Sequence, residues 1–246
     1  MMEEKPGSLG ARQHISTRFA EELEAIKNSL LEMGGKTESQ IRLATEALLS
    51  GAGDTAEEAV QMDRDINQME VEIDDQCARI IARRQPAAFD LRLIISIAKV
   101  TTDLERIGDE ASKVAQMALK STVRLPVRVA ENHTTALATH VSNMLRRALD
   151  AFARLSVDAA VRVMLANKDS MEDYDAGMRL LEAAIRDNPA TLKSCMDQIW
   201  ALRSLDRIGD HASNIAEQIV YLVTGSDVRH MDEATLLNLL DVSTDS

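Results

Sequence analysis

LERIGDEAS at residues 104–112 and LDRIGDHAS at residues 205–213 are nearly one phrase written twice. On a helix turning 100° per residue, the first copy puts Leu104, Ile107, Ala111, Val114 and Ala118 on one stripe, at spacings of three and four. Leu205, Ile208, Ala212, Ile215, Ile219 and Leu222 form the same stripe in the second. Each phrase therefore reads as part of a long helix with one face committed to a core.

The same spacing continues outward along most of the chain, with proline as punctuation. Pro86, Pro126 and Pro189 fall where the pattern restarts, and Pro6 lies in the N-terminal tail. Proline suits the first turn of a helix, where its missing N–H has no intrahelical acceptor anyway. Asn188, just before Pro189, is a good N-cap. The pattern predicts helices over 12–50, 54–84, 86–121, 126–167, 169–187 and 189–224. Gly34 and Gly35 are expected to loosen the first, and Gly225 to end the last. The doubled phrase falls in the third helix of each set of three. The expected fold is all-α: six long helices forming two tandem, pseudo-symmetric three-helix bundles, at 12–121 and 126–224. A tail at 225–246 has room for one turn of helix. Internal duplication is the simplest origin of such a pattern.

Composition agrees and excludes several functions. Aromatic residues make up 2% of the 246 residues, which disfavours sheet, and 40 acids against 28 bases leave a charge of −12. With no basic run, a nucleic-acid surface is excluded. The longest apolar run, LIISIA at 93–98, is closed by Arg92 and Lys99 and is too short to cross a bilayer. The N-terminus lacks the apolar centre of a secretory signal, so the chain reads as cytosolic. Cys77 and Cys195 are too few for a disulfide framework or zinc site and are expected to be reduced, partly buried thiols.

The acids of the phrase are the candidate site. Glu105 and Asp109 lie one turn apart, on the side of the helix away from the apolar stripe, and Asp206 and Asp210 repeat the arrangement. One turn further on come Lys113 and Asn214. A solvated face with weak ion pairs from Arg106 and Arg207 would explain such acids. So would a cation site, because hard metals prefer several carboxylate oxygens. Gly108 and Gly209, costly inside a helix, leave room either for a neighbouring backbone or for a ligand. His211 points about 100° away from Asp210 and is a poor ligand candidate. The EVEIDD run at 70–75 has acids that the second helix could contribute to the site, though it reads most simply as a solvated face. A diiron oxidase is disfavoured, since it needs inward Glu-x-x-His pairs. A phosphate loop and a nucleophile with its base are both lacking.

TDLERIGDEASKVAQMA at 102–118 and RSLDRIGDHASNIAEQIVYLVTG at 203–225 resemble the two signature helices of the PhoU family. RDINQMEVEIDDQCARIIARRQPAAFDLRLIISIAKV at 64–100 is similar to that family's second and third helices, and the likeness extends from His14 to Gly225. The resemblance implies two symmetric three-helix bundles, a homodimer, no enzymatic activity, and an acid-x-x-x-Asp motif in each repeat that holds metal at the surface. It implies a negative regulator of the phosphate regulon and of phosphate uptake. Such a regulator couples the ATPase subunit of the high-affinity phosphate ABC transporter to a phosphate sensor histidine kinase, and meets the membrane only through those partners. Carried over by position, the metal ligands are Glu105 and Asp109 in the first repeat and Asp206, Asp210 and Asn214 in the second. The ions implied are divalent or trivalent (iron, manganese, magnesium or zinc), with identity open. Lys113 stands where the family commonly has Asn, and a charged ammonium has no lone pair to offer, so the first site is expected to be the poorer. Metal storage and a non-switching scaffold are the alternative readings.

Overall fold

The computed structural model describes residues 7–120, 128–167, 170–229, 231 and 235–237. Its helices are α1 (Gly7–Ser50), α2 (Gly53–Arg84), α3 (Ala88–Lys120), α4 (Arg128–Arg154), α5 (Val157–Ala166), α6 (Ser170–Asp187) and α7 (Leu192–Thr224), with a 3₁₀ turn at Pro189–Thr191 before the last. Among the described residues there is no strand. The expected junction at 121–126 and the start of a helix at Asp169 lie outside the described residues. A short helical stretch at 235–237 falls in the expected tail.

α1, α2 and α3 pack against one another as one bundle. α4, α6 and α7 form the second, with α5 against α4 and α7. The bundles join chiefly through α3 on α7, with α1 on α4 beside it. Arg92, early in α3, donates to the carbonyl of Leu222, late in α7, at 3.2 Å, while Glu110, in the second half of α3, meets Arg207, at the middle of α7, at 3.3 Å. The two signature helices are therefore antiparallel. Their stripes are buried as expected: Leu104, Ile107, Val114, Ile208, Ile215 and Ile219 have no exposed surface, though Ala118 is only partly buried. Each such aliphatic side chain contributes about 1.5–3 kcal/mol on burial. Cys77 and Cys195 are free and buried, and burial pushes the Cys77 thiol up to about 11, which keeps it protonated and inert at neutral pH.

Two expectations need correction. α1 runs unbroken through Gly34 and Gly35. Leu149 of α4 packs against Gly34: a Cβ there would lie 2.6 Å from both of its methyl carbons. The glycine thus serves packing between the bundles, and intrahelical hydrogen bonds carry the backbone past it.

The helix expected over 126–167 is two helices. α4 ends with Leu155 at φ 53°, where the Ser156 N–H bonds to the Ala151 carbonyl at 3.0 Å and the Leu155 N–H to the Phe152 carbonyl at 3.3 Å. These are the two bonds of a Schellman termination. Ser156 then caps α5 by accepting from the Ala159 N–H at 3.3 Å. The serine cap was present in the sequence, but a leucine in the left-handed position gives no warning of a helix end. Replacing Ser156 with alanine is expected to cost about 1 kcal/mol, read as a lower midpoint in urea, because the α5 N-terminus loses its acceptor.

Candidate functional site

The acid pair of the first repeat does not face open water. The Glu105 side chain is 17% exposed and Asp109 is half-buried, because α2 lies across this face of α3. α2 supplies Asp63, Asn67, Glu70 and Asp74 at three-, four- and seven-residue spacings, which put them on one side of that helix. Burial raises the pKa of Asp63, and the neighbouring Asp109 raises it further. Glu70 is raised by burial, then by Glu105 and Asp74, and Asp74 by burial. Glu105 is raised by burial and by Asp109, partly offset by Arg106, whose Nε stands 3.5 Å from its carboxylate. The run at 70–75 is largely the solvated face read from sequence, with Glu72, Asp74 and Asp75 exposed, but it contributes the half-buried Glu70 to the array.

Neutral oxygens converge on the same place. Gln40 of α1 is fully buried; its Nε2 donates to the Ala59 carbonyl at 3.0 Å, and its Oε1 has no hydrogen-bond partner. Asn67 Oδ1 and Asp63 Oδ1 are likewise buried without a donor, although the Gln40 amide lies near enough to the Asp63 carboxylate to lower its pKa. A Cβ on Gly108 would lie 3.1 Å from Gln40 Oε1 and 3.3 Å from Ile66, so the glycine makes room for a polar side chain from another helix. Orphaned acceptors in a nearly all-oxygen set fit a hard cation. Among the described residues no three acidic, His or Cys side chains close around one point, so the set is an open array.

Lys113 lies close enough to this array for its charge to lower the pKa of Asp63, against the raising effects of burial and Asp109. Its ammonium is 2.9 Å from Glu110, which is also 3.3 Å from Arg207. Glu110 thus takes up part of the lysine's charge.

In the second repeat Asp206 is half-buried and raised by burial, then by Asp210 and by Asp175 of α6. Asn167, at the end of α5, donates to Asp210 Oδ1 at 3.1 Å, and a Cβ on Gly209 would lie 3.0 Å from Asn167 Oδ1. An amide thus stands beside Asp210 where Asp63 stands beside Asp109. Asn214, grouped with this pair on sequence spacing, instead donates to Asp103 of α3 at 3.2 Å. His211 Nδ1 lies 2.9 Å from the same carboxylate.

Those contacts explain where the two phrases differ. Asp103 corresponds to Ser204, and Glu110 to His211. In the antiparallel joint Asp103 meets His211, while Glu110 is held by Arg207 and Lys113. The duplicated faces have diverged at these two positions where they touch, while the shared Arg207 also takes part in the joint. A separate groove of about 750 Å³ between α1 and α4, lined by Gly35, Ser39, Arg42, Thr139 and Arg146 among others, shares no residue with either acid array.

Comparison with known proteins places these features in a family. The model of the PhoU domain matches the chain twice, at residues 30–118 and 134–219. A phosphate-specific transport system accessory protein PhoU homolog of Pseudomonas aeruginosa is 46% identical over 218 residues, covering 89% of this chain and 90% of that protein. The phosphate-specific transport system accessory protein PhoU of Escherichia coli is 40% identical over 235 residues, covering 95% of this chain and 96% of its own. The crystal structure of PhoU from Pseudomonas aeruginosa superposes with a TM-score of 0.81 at 45% identity, covering 85% of this chain and all of that one. That of the phosphate transport system regulatory protein PhoU from Streptococcus pneumoniae gives 0.80 at 28% identity, covering 85% and 99%.

Proposed function

The chain belongs to the PhoU family, and from that membership we propose that it is an accessory regulator of a phosphate-specific transport system, acting through protein–protein contacts and not through catalysis. In this reading it sits at the cytoplasmic side of the membrane as a homodimer. It links the transporter ATPase to the sensor histidine kinase and keeps the phosphate regulon off when phosphate is plentiful. No described helix is long and apolar enough to cross a membrane, in keeping with membrane contact only through partners.

One observation carries the reading: each signature helix holds a half-buried acid, Glu105 or Asp206, beside its pair-mate and acids of a neighbouring helix, and those two helices form the joint between the bundles. Burying carboxylates of like charge costs free energy unless something neutralises them. A bound cation would supply that neutralisation. Glu105 and Asp109 would hold it in the first repeat, with Asp63, Glu70 and the oxygens of Gln40 and Asn67. Asp206 and Asp210 would hold it in the second, with Asp175. Asn214 donates to Asp103 and so belongs to the joint and not to this set. The first array, richer in carboxylates, is the stronger site in this proposal. Occupancy would then bear on how firmly α2 is held to α3, and hence on the surface offered to partners.

Deleting the gene in its own host is expected to raise alkaline phosphatase and transporter expression several-fold in high phosphate, with repression restored by the parent gene. Expression that stays fully repressed would sink the regulatory reading and leave metal storage or a scaffold.

A further inference from the structure

At the start of α7, Leu192, Met196 and Trp200 follow one another every fourth residue and are 50%, 38% and 49% exposed. They lie within about 80° of one another on the helix, so they form one continuous apolar ridge. Trp200 is the chain's only tryptophan, and the Arg203 guanidinium lies over its ring at 5.9 Å. Lys193 and Asp197 occupy one edge of the ridge, and neither has a hydrogen-bond or ion-pair partner among the described residues.

The pattern is self-complementary. Two such helices laid antiparallel about a two-fold axis through Met196 bring Leu192 of each copy onto Trp200 of the other, with the methionines meeting at the centre. An antiparallel two-fold pairing sets the same edge of both helices side by side. Lys193 of one copy then faces Asp197 of the other, twice. Self-complementarity of this kind is what an isologous contact requires, and Trp, Met and Arg are the residues that dominate interface cores.

We propose that the ridge Leu192–Met196–Trp200 is a dimerisation surface whose occupant is the same ridge of a second copy. It gives a location to the dimer assumed in the regulatory reading, and it uses no residue of either acid array. A single helix face is smaller than the roughly 800 Å² per partner of a standard interface, so the contact is weak and reversible.

The test is sedimentation equilibrium and Trp200 emission over a rising micromolar series of the full chain. The expected result is a concentration-dependent dimer with a blue shift in step. Met196→Lys, which sets two ammonium groups against each other at the centre, is expected to weaken association at least roughly tenfold. At concentrations where both proteins are monomeric its thermal midpoint is expected to match the parent's, because the position is exposed. Lys193→Asp is expected to weaken the dimer, and Lys193→Asp with Asp197→Lys to restore it. A protein that stays monomeric throughout overturns the proposal. So does a dimer indifferent to Met196→Lys, and that result leaves the regulatory reading intact. A blue shift seen only on adding solubilised membrane proteins also overturns it, in favour of a hetero-partner.

Discussion

A protein carrying Glu105→Gln and Asp109→Asn together is expected to be more stable than the parent in metal-free buffer at neutral pH, and to lose at least roughly tenfold in affinity for manganese(II) or iron(III). The physical reason is that α2 covers these acids. Burial raises the folded-state pKa of Asp63, Glu70, Asp74 and Glu105 above the ordinary values of 3.8 for Asp and 4.5 for Glu. Between the ordinary and the raised values the folded form binds protons that the unfolded form has lost. Their contribution to stability is thus present below the ordinary values and lost as pH rises through the folded ones. Above that window the metal-free chain carries buried like charge at full cost, and the amide variants do not. Thermal melts with and without chelator, together with metal analysis of the dialysed protein, check both halves. A variant that binds metal as the parent does, or melts lower without metal, would show that these acids are merely a solvated face. Asp206→Asn with Asp210→Asn is expected to have the smaller effect on both readouts, because Asn167 already supplies an amide to Asp210.

Phe152→Ala is expected to cost about 3–5 kcal/mol, a large share of the 5–15 kcal/mol that holds a typical domain folded. Phe152 is the largest fully buried side chain, with no exposed surface, and it lies in the last turn of α4. Its carbonyl accepts the Leu155 N–H that closes the helix. Truncation leaves a cavity beside a backbone reversal that cannot collapse without breaking the Schellman bonds. Urea unfolding monitored by circular dichroism gives the measure, and a loss below about 1 kcal/mol would mean that the α4–α5 corner repacks freely.

Much of the fold was legible because helix periodicity is local. The stripe from Leu104 to Val114 and its copy from Leu205 to Leu222 fixed two buried helices and their repetition, and these are buried as read. The break at Leu155 was not legible, since the Ala151–Ser156 bond and the positive φ replace the glycine that ordinarily signals a helix end. The glycines at 34, 108 and 209 were visible as anomalies. Their meaning depends on Leu149, Gln40 and Asn167, which arrive from elsewhere in the chain.

The candidate site divides along the same line. Spacing alone determined that Glu105 and Asp109, and Asp206 and Asp210, form pairs one turn apart, because an α-helix puts residues four apart on one face. Only the tertiary structure decided what those pairs face. The packing of α2 on α3 turns a surface pair into a semi-buried array with Asp63, Glu70 and Gln40. The antiparallel joint takes Asn214 to Asp103 and Lys113 to Glu110. A helix's own sequence sets its angular pattern; which neighbour covers each angle depends on how distant segments dock, and that is not written in any local spacing.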